Sequence, residues 1–344
     1  MPDRVIKYTE AIREATSQLL ERDPDVFVIG EGVAYPNGAD GTTAGLKSNY
    51  PNRVLDVPLS EDAFSGLAVG AAISGLKPIV HHGRVEFSLF AADQIITQAA
   101  KWNYMFGGGN PVSVVFRICI GRKWGDGPQH TQSLYGLFGS ATGLKVVIPS
   151  TPAMAKGLLI AAVKDPNPVV YLEPRWLYSI KEHVSESFYS EPLDKARVVR
   201  RGRDVTVVAY GDGLVETLEA CEIIGKRVSI EVIDVVSINP VDHATILKSV
   251  ARTGRLVCVE TAPSAFSISS EIIAGVTKSI SLKQHPIVVS CPGVPCPTST
   301  ALIEAYYPTK VDIANAILRS VGIAAIKRKL SFAEVQLAPT HTII

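Results

Sequence analysis

Val57-Pro-Leu-Ser-Glu-Asp-Ala-Phe-Ser-Gly-Leu-Ala-Val-Gly-Ala-Ala72 is the stretch on which the reading of this chain turns. Pro58 and Ser60 break the preceding strand, and Ser60 stands where a helix N-cap is expected. Small residues then follow closely: Ala63, Gly66, Ala68, Gly70, Ala71 and Ala72. A helix of this make-up can lie very near another backbone or a flat ligand. Glu61, followed by Asp62, stands at its head. Acidic residues in a first turn are ordinary partners of the helix dipole, so the stretch alone leaves a structural and a chemical role for Glu61 both open.

The chain of 344 residues is long enough for two domains, and with 47% hydrophobic against 19% charged residues it can bury sizeable cores. Lys+Arg 34 against Asp+Glu 33 gives a net charge of +1, which is no nucleic-acid footprint. The N-terminal Met-Pro-Asp-Arg-Val-Ile-Lys has no apolar signal region, and no apolar run reaches the length a bilayer requires. Five scattered cysteines (Cys119, Cys221, Cys258, Cys291, Cys296) suit reduced, buried thiols of a cytoplasmic protein. Cys291 and Cys296 lack CxxC spacing, with only His285 nearby, too few ligands for zinc.

Outward from the opening stretch, apolar strands alternate with helices. Residues 9–22 read as an amphipathic helix stopped by Asp23-Pro24, and Val26–Ile29 as a strand ended by Gly30-Glu31-Gly32. Residues 77–80, 112–117, 145–148 and 168–172 read as strands; 88–105 and 152–164 read as helices. This alternation predicts an α/β fold with a mainly parallel sheet covered on both faces. From Pro174 to about Asp204 the pattern dissolves into polar residues, and a second α/β unit follows with strands at 205–209, 229–235, 256–260 and 287–290. The expected domains are 1–180 and 204–325, with a linker at 181–203 and a tail at 326–344.

His130, in Gln129-His130-Thr131, follows a strand and a Gly-rich loop; a histidine there can transfer protons or be purely structural. His81 and His82 are adjacent on a strand and point to opposite faces, so they do not form a metal pair. Gly-Asp-Gly occurs at 125–127 and 211–213 and invites comparison with the magnesium-diphosphate signature of thiamine enzymes. Asn239 stands at about the right distance from the second copy, but it precedes Pro240 in a turn, and the first copy has no Asn to match. The chain therefore lacks its own magnesium-diphosphate site.

Taken together, Tyr8-Thr-Glu-Ala-Ile-Arg-Glu-Ala, Pro58-Leu-Ser-Glu-Asp-Ala-Phe, Gly66-Leu-Ala-Val-Gly-Ala-Ala, Pro111-Val-Ser-Val-Val-Phe-Arg, Gln129-His-Thr-Gln and Gly143-Leu-Lys-Val-Val-Ile-Pro-Ser resemble the β subunit of the E1 component of 2-oxoacid dehydrogenase complexes. The match runs from about residue 5 to 320. The resemblance implies a pyrimidine-binding domain, a parallel sheet with helices on both faces, followed by a transketolase C-terminal-like α/β domain. It implies thiamine diphosphate as cofactor, with Mg²⁺ held by an α subunit in an α₂β₂ heterotetramer. Glu61 would hydrogen-bond the aminopyrimidine and favour its imino tautomer. His130 would stabilise or protonate oxyanion states of substrate, or assist acyl transfer to a lipoyl-bearing E2. Phe87 would pack by the pyrimidine, and Phe90, where the family commonly has Gln, joins it among the cofactor-binding positions. A potassium loop built largely from main-chain carbonyls maps onto Val114, Ala162, Val163, Asp165 and Asn167.

The chain departs from the family at His81–Glu86, at Arg122-Lys123-Trp124-Gly125-Asp126 before Gln-His, at Thr261-Ala-Pro-Ser after Glu260, and in the tail. The leading expectation is an E1 β subunit that, with its α partner, decarboxylates a 2-oxo acid and passes the acyl group to a lipoyl domain. Arg84, Arg122 and Lys123 motivate an alternative: a two-subunit transketolase-like enzyme acting on an anionic, ketose-type or phosphorylated substrate. A non-catalytic partner-binding subunit is a third.

Overall fold

The computed structural model describes residues 4–122, 126–303, 305–327 and 330. The strands are β1 (Val5–Lys7), β2 (Val26–Gly30), β3 (Val54–Asp56), β4 (Lys77–His82), β5 (Val115–Ile120), β6 (Lys145–Val147), β7 (Val169–Pro174), β8 (Lys181–His183), β9 (Arg197–Arg200), β10 (Val205–Ala209), β11 (Ile230–Asp234), β12 (Ser237–Asn239), β13 (Leu256–Pro263) and β14 (Ile287–Cys291). Seven form one sheet in the order β12-β6-β7-β5-β4-β2-β3 and five a second in the order β14-β13-β10-β11-β9. Neighbours are parallel except at β12 beside β6 and β9 beside β11. The central strands β2, β5, β7, β10 and β11 are buried at every residue. That is the signature of sheets covered on both faces, as the continuous apolar runs predict.

The helix Tyr8–Arg22 packs on Pro152–Lys164 across one face of the first sheet. Pro152 occupies the first turn of its helix, where a missing N–H costs nothing, and Thr151 Oγ1 accepts from Met154 N–H at 3.3 Å. The other face receives Glu61–Ile73, whose Phe64, Ala68, Val69 and Ala72 are buried. Its Leu67 and Gly70 stay open, and Leu67 is 57% exposed. In the second unit, Asp212–Ile224 packs on Lys310–Ser320. The latter opens with a reciprocal cap between Thr309 and Asp312.

Two elements differ from the sequence expectation. Residues 88–105 do not make one regular helix. Val85–Ser88 is a short helix, Leu89–Ala91 a tight turn, Asp93–Ala99 a π-helical segment and Ala100–Met105 α-helical again. A π-segment inserts extra residues per turn without changing apolar spacing much, so periodicity does not reveal it. The strand expected at 112–117 enters the ladder only at Val115, because Val112 N–H is spent on Pro166 O and Val114 N–H on Val112 O. The stretch 181–203 is itself ordered: β8 pairs with β1, and β9 edges the second sheet. Most of the tail at 326–344 lies outside the described residues.

The units share a core. β12 leaves the second unit and pairs with β6 of the first, and Ile148 N–H donates to Val236 O at 2.8 Å. The same buried cluster contains Val146 and Ile148 with Val208, Ile233 and Val235. At this seam Ser150 Oγ donates to Asp234 Oδ1 at 2.9 Å and accepts from Gly211 N–H at 2.9 Å.

Burial pushes the Asp234 carboxyl from its ordinary 3.8 up to about 6, against the opposing bond from Ser150. The folded state therefore binds this proton more tightly than the unfolded chain, and stability is lost as pH rises through the folded value. Asp234→Asn should gain stability relative to wild type between pH 4 and 6, by about 2–3 kcal/mol at most. Urea unfolding across that range reads it; a pH-independent difference would contradict the account.

Candidate active site

The carboxyl ends of β2, β3, β4 and β5 stand side by side: Gly30 pairs with Asp56 and with His81, and His82 with Ile118. In a parallel sheet this edge is where ligands bind, beside the point where strand order reverses. Here that point is β2, with β3 on one side and β4 on the other. A Cβ at Gly30 would meet His81 O at 2.5 Å, so only glycine lets these strand ends approach so closely.

Glu61 begins its helix at this edge, half-buried, and among the described residues its carboxylate makes no hydrogen bond. The sequence reading missed its neighbour Glu31, which follows β2. Burial raises the Glu31 carboxyl, and the charges of Glu61 and Asp56 raise it further. Glu31 Oε1 is buried and has no hydrogen-bond partner among the described residues. A carboxyl raised by burial and by neighbouring carboxylates at a strand end is the kind of perturbed group that clusters at functional sites. The available signal was an acid between two glycines where a strand stops.

Phe87, on the short helix after β4, meets the His130 ring edge-on, with centroids 5.6 Å apart and planes at 78°. These two positions are thus brought together. Phe90, three residues on, is 71% exposed on the tight turn that packs beside the Glu61 helix. The His130 loop is cinched by Gly121 N–H donating to Gln132 O at 2.9 Å and by Thr131 Oγ1 donating to Gly127 O at 2.6 Å. Gln132 N–H reaches Glu86 Oε1 at 2.7 Å, tying the loop to the helix that carries Phe87.

His81 and His82 do face apart. Burial holds both below the usual histidine range, His82 at about 3, so both are neutral near pH 7. His82 Nε2 lies 3.1 Å from Ser65 Oγ beneath the Glu61 helix. No cluster of three or more metal-ligating side chains occurs among the described residues. Asp212 of the second Gly-Asp-Gly accepts from Thr261 Oγ1 at 2.6 Å, while the Asn239 amide donates to Ala141 O at 3.3 Å. Both are spent on the fold. Gly125 of the first copy lies outside the described residues.

The turn carrying Ala162, Val163, Asp165 and Asn167 lies against Val114. Val114 O accepts from Val169 N–H at 2.9 Å and Ala162 O from Asp165 N–H at 3.2 Å. Asp165 pairs with Lys145 and accepts from Asn167 N–H at 2.9 Å. Oxygens of this turn already have donors.

Two of the three basic residues that motivated a phosphorylated substrate, Arg84 and Arg122, are otherwise engaged. Arg84 is 7% exposed at its side chain and paired with Asp126. Arg122 is buried, 2.7 Å from Glu216 and 3.4 Å from Asp212. Neither faces solvent where an anionic substrate could meet it; Lys123 lies outside the described residues.

Residues 4–181 match the family described as transketolase, pyrimidine binding domain, and 194–313 that described as transketolase, C-terminal domain. A solved structure of a split gene transketolase, an inactive beta4 tetramer, superposes with a TM-score of 0.77 over 92% of this chain and 99% of its own; at 21% identity this is a likeness of fold. Fold and profiles together define a transketolase-type two-domain protein. The β subunit of acetoin:2,6-dichlorophenolindophenol oxidoreductase from Cupriavidus necator is 39% identical over 324 residues, 90% of this chain and 96% of its own. The mitochondrial pyruvate dehydrogenase E1 β subunit of Saccharomyces cerevisiae is 40% identical over 323 residues, 91% and 88% respectively. Within the transketolase class, the chain belongs to the family of E1 β subunits of the pyruvate and acetoin dehydrogenase systems.

The Arg84–Asp126 pair gives a direct check of how the His130 loop is held. Asp126→Ala leaves a buried guanidinium uncompensated and should cost about 1–3 kcal/mol, less than a fully buried pair because Asp126 is partly exposed. An unchanged urea midpoint would show that the pair does not hold the loop.

Proposed function

We propose that this chain is the β subunit of a two-component, thiamine diphosphate-dependent 2-oxoacid dehydrogenase E1. In this reading an α subunit completes the site, holding Mg²⁺ and the diphosphate in an α₂β₂ assembly. The observation that carries it is Glu61: a half-buried carboxylate without a donor among the described residues, at the carboxyl edge of a pyrimidine-domain sheet. A carboxyl so placed suits a heteroaromatic ring nitrogen.

When bound, thiamine diphosphate supplies the carbon nucleophile that cleaves a 2-oxo acid beside its carboxylate. Glu61 holds a proton against the ring nitrogen of the aminopyrimidine and so sets its tautomer. Glu31, crowded by the charges of Glu61 and Asp56, holds its proton to higher pH than an ordinary carboxyl. Phe87 offers an apolar wall and limits the swing of the His130 ring. His130 donates a hydrogen bond or proton to oxygen anions of the substrate, and assists acyl transfer to a lipoyl domain of an E2. Phe90 extends the apolar wall at the open edge. A potassium ion at Val114, Ala162, Val163, Asp165 and Asn167 belongs to the same reading, but no step here depends on it. Five unpaired cysteines accord with a reducing compartment, the cytoplasm. Among the described residues no helix is long and apolar enough to cross a membrane.

Co-expression with its α-like partner and an assay of 2-oxoacid decarboxylation with an artificial electron acceptor test this reading. Glu61→Gln should lower turnover by about 10²-fold or more while assembly persists. His130→Ala should impair the substrate or acyl-transfer step more than cofactor affinity. Wild-type rates in either variant would remove that residue from the chemistry.

A further inference from the structure

The loop bearing His130 is fastened on both flanks, and its first fastening reaches into the other domain. Arg122, one residue past the glycine that closes the loop, is 2% exposed. Its Nη2 donates to Glu216 Oε1 at 2.7 Å, and its Nε lies 3.4 Å from Asp212 Oδ2. The guanidinium stacks 3.8 Å over the Trp176 ring and stands 5.3 Å from that of Tyr307.

Both carboxylates are held in turn by the second domain. Glu216 Oε2 accepts from Lys310 N–H at 2.9 Å, and Asp212 Oδ1 from Thr261 Oγ1 at 2.6 Å. Burial pushes both carboxyls upward and Arg122 opposes it, so cation and carboxylates depend on each other. On the far flank, Gly127 has φ +73°, and a Cβ there would meet Thr298 Oγ1 at 2.6 Å. The loop thus abuts the second domain at both ends of its first half.

We infer that Arg122 is a positioning residue: through Asp212 and Glu216, the second domain fixes the loop on which His130 meets Phe87. This inference rests on the function proposed above. It gives the second domain a part in catalysis through the loop that it holds. A small displacement of a proton-transferring group costs far more in rate than in stability.

Removing Arg122 alone would strand two buried carboxylates. The test therefore compares wild type with R122K and with the neutralised triple variant R122M/D212N/E216Q, each assembled with the α partner. Hydrogen–deuterium exchange of the peptide spanning 121–134 should be about tenfold faster in the triple variant, while peptides from β5 and β10 are unchanged. Decarboxylation kcat should fall about tenfold with little change in KM for the 2-oxo acid, and R122K should recover part of both. Unchanged exchange in the loop, or a loosened loop with wild-type kcat, would overturn the inference. Exchange reads the clamp whether or not the wild-type assembly decarboxylates a 2-oxo acid, so failure of the clamp and failure of the proposed function are separately visible.

Discussion

A parallel sheet buried on both faces leaves its chain one place to gather polar side chains, the edge where the strands end. In the first domain that edge runs through Asp56, Gly30 and His81, and the groups most suited to chemistry stand on the connections that leave it. Glu31 and Glu61 stand after β2 and β3, Phe87 after β4 and His130 after β5. A one-residue slip of any of these strands would carry its side chains to the opposite face of the sheet and displace the group that follows it.

Charge is managed differently inside and at the edge. Arg117 of β5 and Glu173 of β7 form a two-pronged pair at 2.6 and 3.0 Å with neither side chain exposed, and Tyr178 OH donates to the same carboxylate at 3.0 Å. Such a pair adds little net stability but penalises any arrangement that separates it. Arg122 with Asp212 and Glu216 repeats the device between domains. At the site itself, by contrast, Glu31 and Glu61 are left uncompensated and crowd one another.

Much of this was legible in the sequence, for identifiable reasons. Continuous apolar runs such as Val26–Ile29, short and stopped by glycine, read as strands buried on both faces, and the small residues after Glu61 predict a helix open to close approach; both are present. The ring contact between Phe87 and His130 could not be read from the sequence, because the two stand on connections from different strands. Arg122 was misread because a charge in a Gly-rich loop looks solvent-facing, while its partner Glu216 lies 94 residues on. The π-helical segment escaped because its apolar spacing mimics an ordinary helix. β9 escaped because four residues with an arginine at each end, Arg197–Arg200, carry too little alternation to mark an edge strand. Glu31 escaped because one acid between glycines reads as a turn until Glu61 and Asp56 are seen beside it.

The central claim is that this chain supplies the pyrimidine half of a site whose diphosphate half comes from another subunit. Calorimetric titration of thiamine diphosphate with Mg²⁺, first into the purified chain and then into its assembly with the α-like partner, tests that claim directly. The account predicts no measurable binding to the chain alone and saturable binding to the assembly. Tight, Mg²⁺-dependent binding to the isolated chain would contradict it.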